Sequence, residues 1–193
     1  MAKQSVPAGN TPDRGRPATM IGQAGHDAVN AAGRTDPKLI RTLTCRTVAR
    51  GRLQQLNYIR DLPPQAVMQG GSEGLASGTD APDASEALLA ALGSCLAAGI
   101  QANALARNIP LQSLELQLFG DIAASAAWGS GDPAPKPIGF ETIRVSVNIV
   151  ADAPRDILET LVRHTTLWSP VANTLHNPVH LDVSVEPDAA AAV

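Results

Sequence analysis

The chain has 193 residues and a mass of 20.0 kDa, the size of one domain with a tail and too small for a second full domain. Hydrophobic residues make up 44% and aromatics only 3%, so a core can form but must be filled by Ala, Leu and Val. Lys and Arg number 15 against 18 Asp and Glu, a net charge of −3, and no basic block is long enough to hold nucleic acid by its phosphates.

Residues 1–36 are rich in Gly, Pro, Ala, Thr and Asn without apolar periodicity, which predicts a flexible N-terminal extension. They lack the apolar run of a secretory signal, so a cytoplasmic protein is expected. A helical turn is expected over Asp36–Leu39, the folded domain over residues 37–187, and a disordered tail over 188–193. From Arg41 the pattern has period two: Leu43, Cys45 and Thr47 face one way, Thr42, Thr44 and Arg46 the other, which predicts a strand. Arg52–Ile59 and Gln65–Gln69 are further strand candidates, separated by Pro63-Pro64, and the three together predict an antiparallel meander. Residues 70–82 are a loop by their Gly, Ser, Thr and Asp content.

Asp83, three places before Glu86, has the spacing of a capping box, and an apolar run follows through Leu88, Leu89, Leu92, Cys95, Leu96 and Ile100. One long helix to about Arg107 is predicted. Its nearly polar-free part, Ala87–Ile100, is shorter than the roughly 20 residues that cross a bilayer, so a buried helix of a soluble protein is expected, with no membrane partner. Gly93-Ser94-Cys95 forms a waist of small residues, tolerated where another backbone or a ligand comes close, since Gly costs about 1 kcal/mol against Ala inside a helix.

Leu114, Leu116 and Leu118 alternate with polar residues, as do Ile143, Val145, Val147 and Ile149, which predicts two strands buried on one side. Residues 123–139 between them are a long loop by Gly and Pro content. Ile157, Leu158, Leu161 and Val162 have amphipathic-helix spacing over Pro154–Leu167, and Pro170 should end that helix. Ser169-Pro170 then reads as N-cap and N1 of a short helix through about His176. Val179, Leu181, Val183 and Val185 predict a last strand. Strands, long helix, two strands, two helices and a strand give an α+β fold with antiparallel sheets rather than a doubly wound one.

GTDAPDASEALLAALGSC (Gly78–Cys95), Gly120-Asp121, GFETIRVSVNI and SPVANTLHNPVHLDVSV together resemble the OsmC/Ohr superfamily over roughly Arg41–Glu186. Its members include osmotically inducible and organic-hydroperoxide-resistance proteins and OsmC-like proteins of unassigned role. The resemblance implies an intertwined homodimer with antiparallel sheets around two long central helices and active sites between subunits. A helix that is apolar all round, which one small domain has too little surface to cover, agrees with it. The resemblance also implies a peroxidatic cysteine at Cys95 and places the family's resolving cysteine at Ser169. The family's Glu stands ten places before that cysteine, where this chain has Ser85, with Glu86 one place later. Arg50 ranks first as the family's Arg, ahead of Arg52 and Arg60.

Cys95 as a nucleophile needs the thiolate, which an apolar helix middle opposes and a neighbouring Arg favours. Its plainer role is a buried structural thiol. Ser169 is fully explained as a helix cap, and no disulfide to Cys95 can form there. Cys45 reads as an inert core thiol, Glu86 as a cap of its own helix, and the three Arg as solvated charges. Trp168 reads as an anchor packing a helix on the sheet, or as a pocket wall beside Ser169. His176 and His180 are divided by Asn177-Pro178 and cannot share a helical face, so no metal site is expected. Two functions stay open. One is a Cys95-dependent hydroperoxide reductase with no tightly bound cofactor, recycled by an external dithiol or thiol because Ser169 cannot resolve it. The other is a non-enzymatic protein binding a small apolar ligand at the dimer interface.

Overall fold

The structure, a computed structural model, describes residues 42–50, 54–68, 81–122 and 139–185. All fall in one compact unit, Ile40–Val193. The expected extension, the helical turn at 36–39, the terminal tail and most of the two loops lie outside the described residues.

The meander is present: β1 (Arg46–Arg50), β2 (Gln54–Tyr58) and β3 (Gln65–Met68) pair antiparallel in that order. It begins later than the alternation predicts. The ladder opens with Arg46 opposite Tyr58, and beyond Tyr58 the chain turns through Arg60 at φ 53. Residues 42–45 therefore have no strand to pair with among the described residues, and Cys45 is exposed instead of lying in a core.

The long helix α1 (Ala84–Ala106) begins as its sequence dictates. Glu86 N–H donates to Asp83 Oδ1 at 2.8 Å and Asp83 N–H to Glu86 Oε2 at 2.9 Å, so each residue satisfies an orphan donor of the other. It ends in a Schellman turn, with Asn108 at φ 55 taking the place usually held by glycine. There Asn108 N–H bonds Leu105 C=O at 3.0 Å and Ile109 N–H bonds Ala104 C=O at 2.9 Å. β4 (Leu111–Ile122) and β5 (Phe140–Ala151) form the second antiparallel sheet, pairing Leu114 with Ile149, Leu116 with Val147 and Leu118 with Val145. Their aliphatic face is half-buried and the polar face exposed, as period two requires.

α2 (Arg155–Trp168) and α3 (Pro170–His176) follow with the expected bounds. α1 packs on both β4 and α2. The core joins Ile100 and Ala104 of α1 to Leu161 of α2, ringed by Ile109, Leu114, Val147 and Ile149. At the waist glycine a side chain comes close: a Cβ on Gly93 would meet Leu118 Cδ1 at 3.0 Å. Six residues further along, a Cβ on Gly99 would lie 2.5 Å from Thr165 Cγ2, so α2 approaches α1 there as closely as a missing side chain permits.

Cover of α1 within one chain is partial, as expected for a helix apolar all round in a small domain, and two other expectations about cover need correction. Within the chain only one stripe of α1 is buried, Leu92, Leu96, Ile100 and Ala104, each four residues from the next. Leu88, Ala91, Ser94 and Ala98 are exposed, because β4 and α2 cover only one side of the helix. At 23 residues, with a mean hydropathy of 1.6 over its best 18-residue window, α1 has the length and composition of a membrane span; its contacts make it the core helix of this unit. Residues 179–185 form no strand. A strand needs a ladder, no described segment offers one, and Leu181, Val183 and Val185 stand 81%, 82% and 96% exposed. Trp168 does not anchor a helix on the sheet: it is exposed at the last turn of α2, and its ring contact among the described residues is with His164 at 6.1 Å.

Candidate active site around Cys95

The functional residues are brought together by one crossing. On α2, Leu161, Thr165 and the flanking Ser169 are spaced by four and all buried, forming the stripe that faces α1. Cys95 and Gly99 of α1 have the same spacing and meet that stripe. Gly99 receives Thr165, and Cys95 Sγ lies 3.2 Å from Ser169 Oγ. The pair linked at the sequence level only by resemblance is thus in hydrogen-bond contact.

Ser169 is held from several directions. It closes α2 and caps α3, its Oγ accepting the Ala172 N–H at 3.2 Å. Its carbonyl accepts Asn173 N–H at 3.0 Å and Asn173 Nδ2–H at 2.8 Å. The same Nδ2 donates to Leu167 C=O at 2.9 Å. Asn173 thus clamps the joint between the two helices, a role sequence reading missed, although an Asn four places after a capping Ser was there to be seen. Thr165 was missed as well. Its Oγ1 is buried without a hydrogen-bond partner among the described residues.

Among the described residues, none of the other expected site residues is in hydrogen-bond contact with Cys95. Glu86 is engaged in the capping box, and at 1.5 Å per residue its Cα lies about 13 Å along the helix from Cys95. Arg50 is exposed at the end of β1, opposite Gln54. Arg60 occupies the turn after β2, and Arg52 lies outside the described residues. Cys45 is exposed and free. The ion pair of the Gly-Asp segment is a separate feature: Arg144 donates to Asp121 at 2.6 and 3.0 Å. This hydrogen bond holds the Asp121 carboxyl below its ordinary range and the Arg144 guanidinium above its own.

A cleft of about 610 Å³ lies between α1, β5 and α3. Leu88, Leu92, Leu96, Ile143, Val145 and Leu175 give it an aliphatic wall, with Glu141 and His176 as its charged or titratable members. Ala172, whose N–H holds the Ser169 hydroxyl, also lines it. Neither Cys95 nor Ser169 lines the cleft itself; their neighbours Leu96 and Ala172 do, and its aliphatic wall suits an alkyl chain. A second cleft, of about 390 Å³, lies between β5 and α2 around Val147, Leu158 and Val162.

The sequence pattern of the family described as OsmC-like protein matches residues 76–184, more than half of the chain and the whole of the helical site. Among solved structures, an OsmC-like protein from Mycoplasma pneumoniae is similar at 14% identity, with a TM-score of 0.61 over 72% of this chain and 89% of that one. An OsmC-like protein of unknown function from Vibrio cholerae matches at 12% identity and a TM-score of 0.58, covering 70% of this chain and 94% of that one. An organic hydroperoxide resistance protein OsmC from Legionella pneumophila matches at 16% identity and a TM-score of 0.53, over 72% and 91%. At these identities the structural likeness speaks for the fold, and it agrees with the α+β reading. No curated protein matches the chain.

Proposed function

Because the chain belongs to the OsmC family, we propose that it is a redox stress-response protein that reduces organic hydroperoxides through Cys95. The observation that carries this reading is the contact of Cys95 Sγ with the buried Ser169 hydroxyl; an aliphatic cleft lined by their neighbours Leu96 and Ala172 supports it. The Cys95 thiolate attacks the outer oxygen of ROOH. An S–O bond forms, the O–O bond breaks, and the alkoxide leaves with the electron pair and takes a proton from solvent to give ROH. Sulfur is oxidised to the sulfenic acid while the hydroperoxide is reduced. Ser169 offers no sulfur to trap that product, so an external dithiol or two thiols complete the cycle: the first displaces water to give a mixed disulfide, the second releases Cys95. No bound cofactor enters the scheme.

The working form is a homodimer. The exposed face of α1 and the uncovered alternation at 179–185 support it, since a soluble chain rarely leaves so much aliphatic surface bare. A second copy would also bring a cation to Cys95, and Arg50, exposed and without an ion pair among the described residues, is the group proposed for that role. The proposed location is the cytoplasm, where a reducing pool keeps both thiols free. Treatment with one equivalent of an alkyl hydroperoxide and dimedone tests the reading. Cys95 should carry the adduct, Cys95→Ser should lack it, and hydrogen peroxide should label more slowly; equal labelling of Cys45, or none at either thiol, overturns it.

One observation favours a second reading, a non-enzymatic protein that binds a small apolar ligand. Glu86 is committed to its capping box and no guanidinium touches Cys95 among the described residues. In that case the cleft would bind a fatty-chain probe with the same affinity in Cys95→Ser as in the parent.

A further inference from the structure

We propose that Ser169 is the hydrogen-bond donor to Cys95, a positioning residue whose single proton is directed at Sγ and favours the thiolate. The inference deepens the peroxidatic reading and rests on it: where the resemblance places a resolving cysteine, this chain has a hydroxyl that holds the attacking sulfur. A hydroxyl has one proton and two lone pairs. One lone pair of Ser169 Oγ is occupied by the Ala172 N–H. The Asn173 amide is turned to the Ser169 and Leu167 carbonyls and not to the hydroxyl. Ser169 is 3% exposed, so its proton has little access to bulk water, and Cys95 Sγ at 3.2 Å is the partner the structure gives it.

The opposite polarity, a thiol donating to the free lone pair of Oγ, is the competing arrangement. It fails in the reactive form, because a thiolate has no proton to give and would face the lone pairs of the hydroxyl. A hydroxyl that donates serves both forms, with the stronger bond going to the anion. After oxidation the same proton can bond the sulfenate oxygen or remain on sulfur, so neither step requires Ser169 to ionise.

The test uses the full chain carrying Cys45→Ser, which leaves Cys95 as the only thiol. Its rate of alkylation by iodoacetamide is followed against pH. In Ser169→Ala the profile should move to higher pH and the rate at neutral pH should fall about tenfold, the size of one hydrogen bond to a charged atom. Ser169→Thr should return it toward the parent. Thr165→Val, which removes a neighbouring buried hydroxyl that makes no bond to sulfur, should leave the profile in place. A Ser169→Ala profile that superimposes on the parent, with unchanged circular dichroism, overturns the proposal.

Should both variants at 169 unfold, the S–H stretching band of the protein with Ser169 intact decides the matter at a pH where the thiol is protonated. A donating hydroxyl leaves that band at the frequency of a non-donating thiol, whereas a band shifted to lower frequency shows Cys95 donating and overturns the assignment. Failure of the dimedone experiment with a shifted alkylation profile would sink the peroxidatic reading and leave the hydrogen bond standing.

Discussion

β5 and the segment 179–185 carry the same alternation of aliphatic and polar residues, yet they end in opposite situations. In β5, Ile143, Val145, Val147 and Ile149 are half-buried and every residue from Thr142 to Ala151 faces a β4 partner. In 179–185, an equally regular row stands unpaired, with Val179 63% and Val185 96% exposed. The pattern states which face of a segment is apolar. It is silent on what covers that face: for β5 the cover is α2, which starts four residues after the strand ends, whereas for 179–185 no described residue supplies it.

The largest difference between the two regions should appear in stability. Leu161→Ala empties the most deeply buried position, 0% exposed, and should cost about 3 kcal/mol by urea denaturation. Leu181→Ala should cost under about 0.5 kcal/mol if the segment stays bare. A Leu181 loss comparable to that of Leu161 would show that another surface buries it. The next contrast is one of concentration. Leu181→Lys with Val183→Lys should leave the melting of a monomer nearly unchanged, but should abolish any rise of Tm with protein concentration and halve the mass seen by light scattering at micromolar protein. A parent that is monomeric and concentration-independent would remove the homodimer from the proposal.

Smaller effects sharpen the same division. Ser169→Cys lies on the buried side, and because Sγ and Oγ are 3.2 Å apart in the parent, small rotations should bring two sulfurs to the roughly 2 Å of a disulfide. Oxidised protein should then show a 95–169 linkage by mass spectrometry and turn over hydroperoxide faster with a dithiol, at a cost of about 1 kcal/mol for the lost cap. Sulfinate at Cys95 without the linkage would mean that the pair does not close. The smallest effect belongs to the exposed Asp121–Arg144 pair. The folded carboxyl lies below its unfolded value, so its contribution is present above the ordinary carboxylate range and fades as pH falls through the lowered folded value. Arg144→Gln should return the Asp121 titration, followed by NMR, toward the ordinary range and remove a weak, salt-screened dependence of stability on acid.

Legibility in the sequence followed the range of the interaction. The Asp83–Glu86 box and the Ser169-Pro170 start could be read because a cap and its partner lie three residues apart. The β4–β5 ladder was legible because a hairpin needs only its own two strands. The start of β1 was not, since alternation extends through Leu43 while pairing waits for Arg46. Trp168 and Cys45 were misread for a related reason: their residue types are usually buried, but burial depends on a neighbour that no local pattern names. The Cys95–Ser169 contact joins residues far apart in sequence, and periodicity alone would have left it unseen.

The approach of Thr165 to Gly99 has a consequence for how the sequence can vary. The two positions lie on different helices, yet they share one volume: a methyl group added at 99 must be taken away at 165. Gly99→Ala alone overpacks the crossing and Thr165→Ala alone loosens it, while the two together exchange one methyl for another and release a buried hydroxyl that has no partner. Drift at either site is therefore conditional on the other. Since Ser169 sits one turn beyond Thr165 on the same stripe, the steric bargain struck at 99 and 165 sets the distance at which the hydroxyl meets the sulfur.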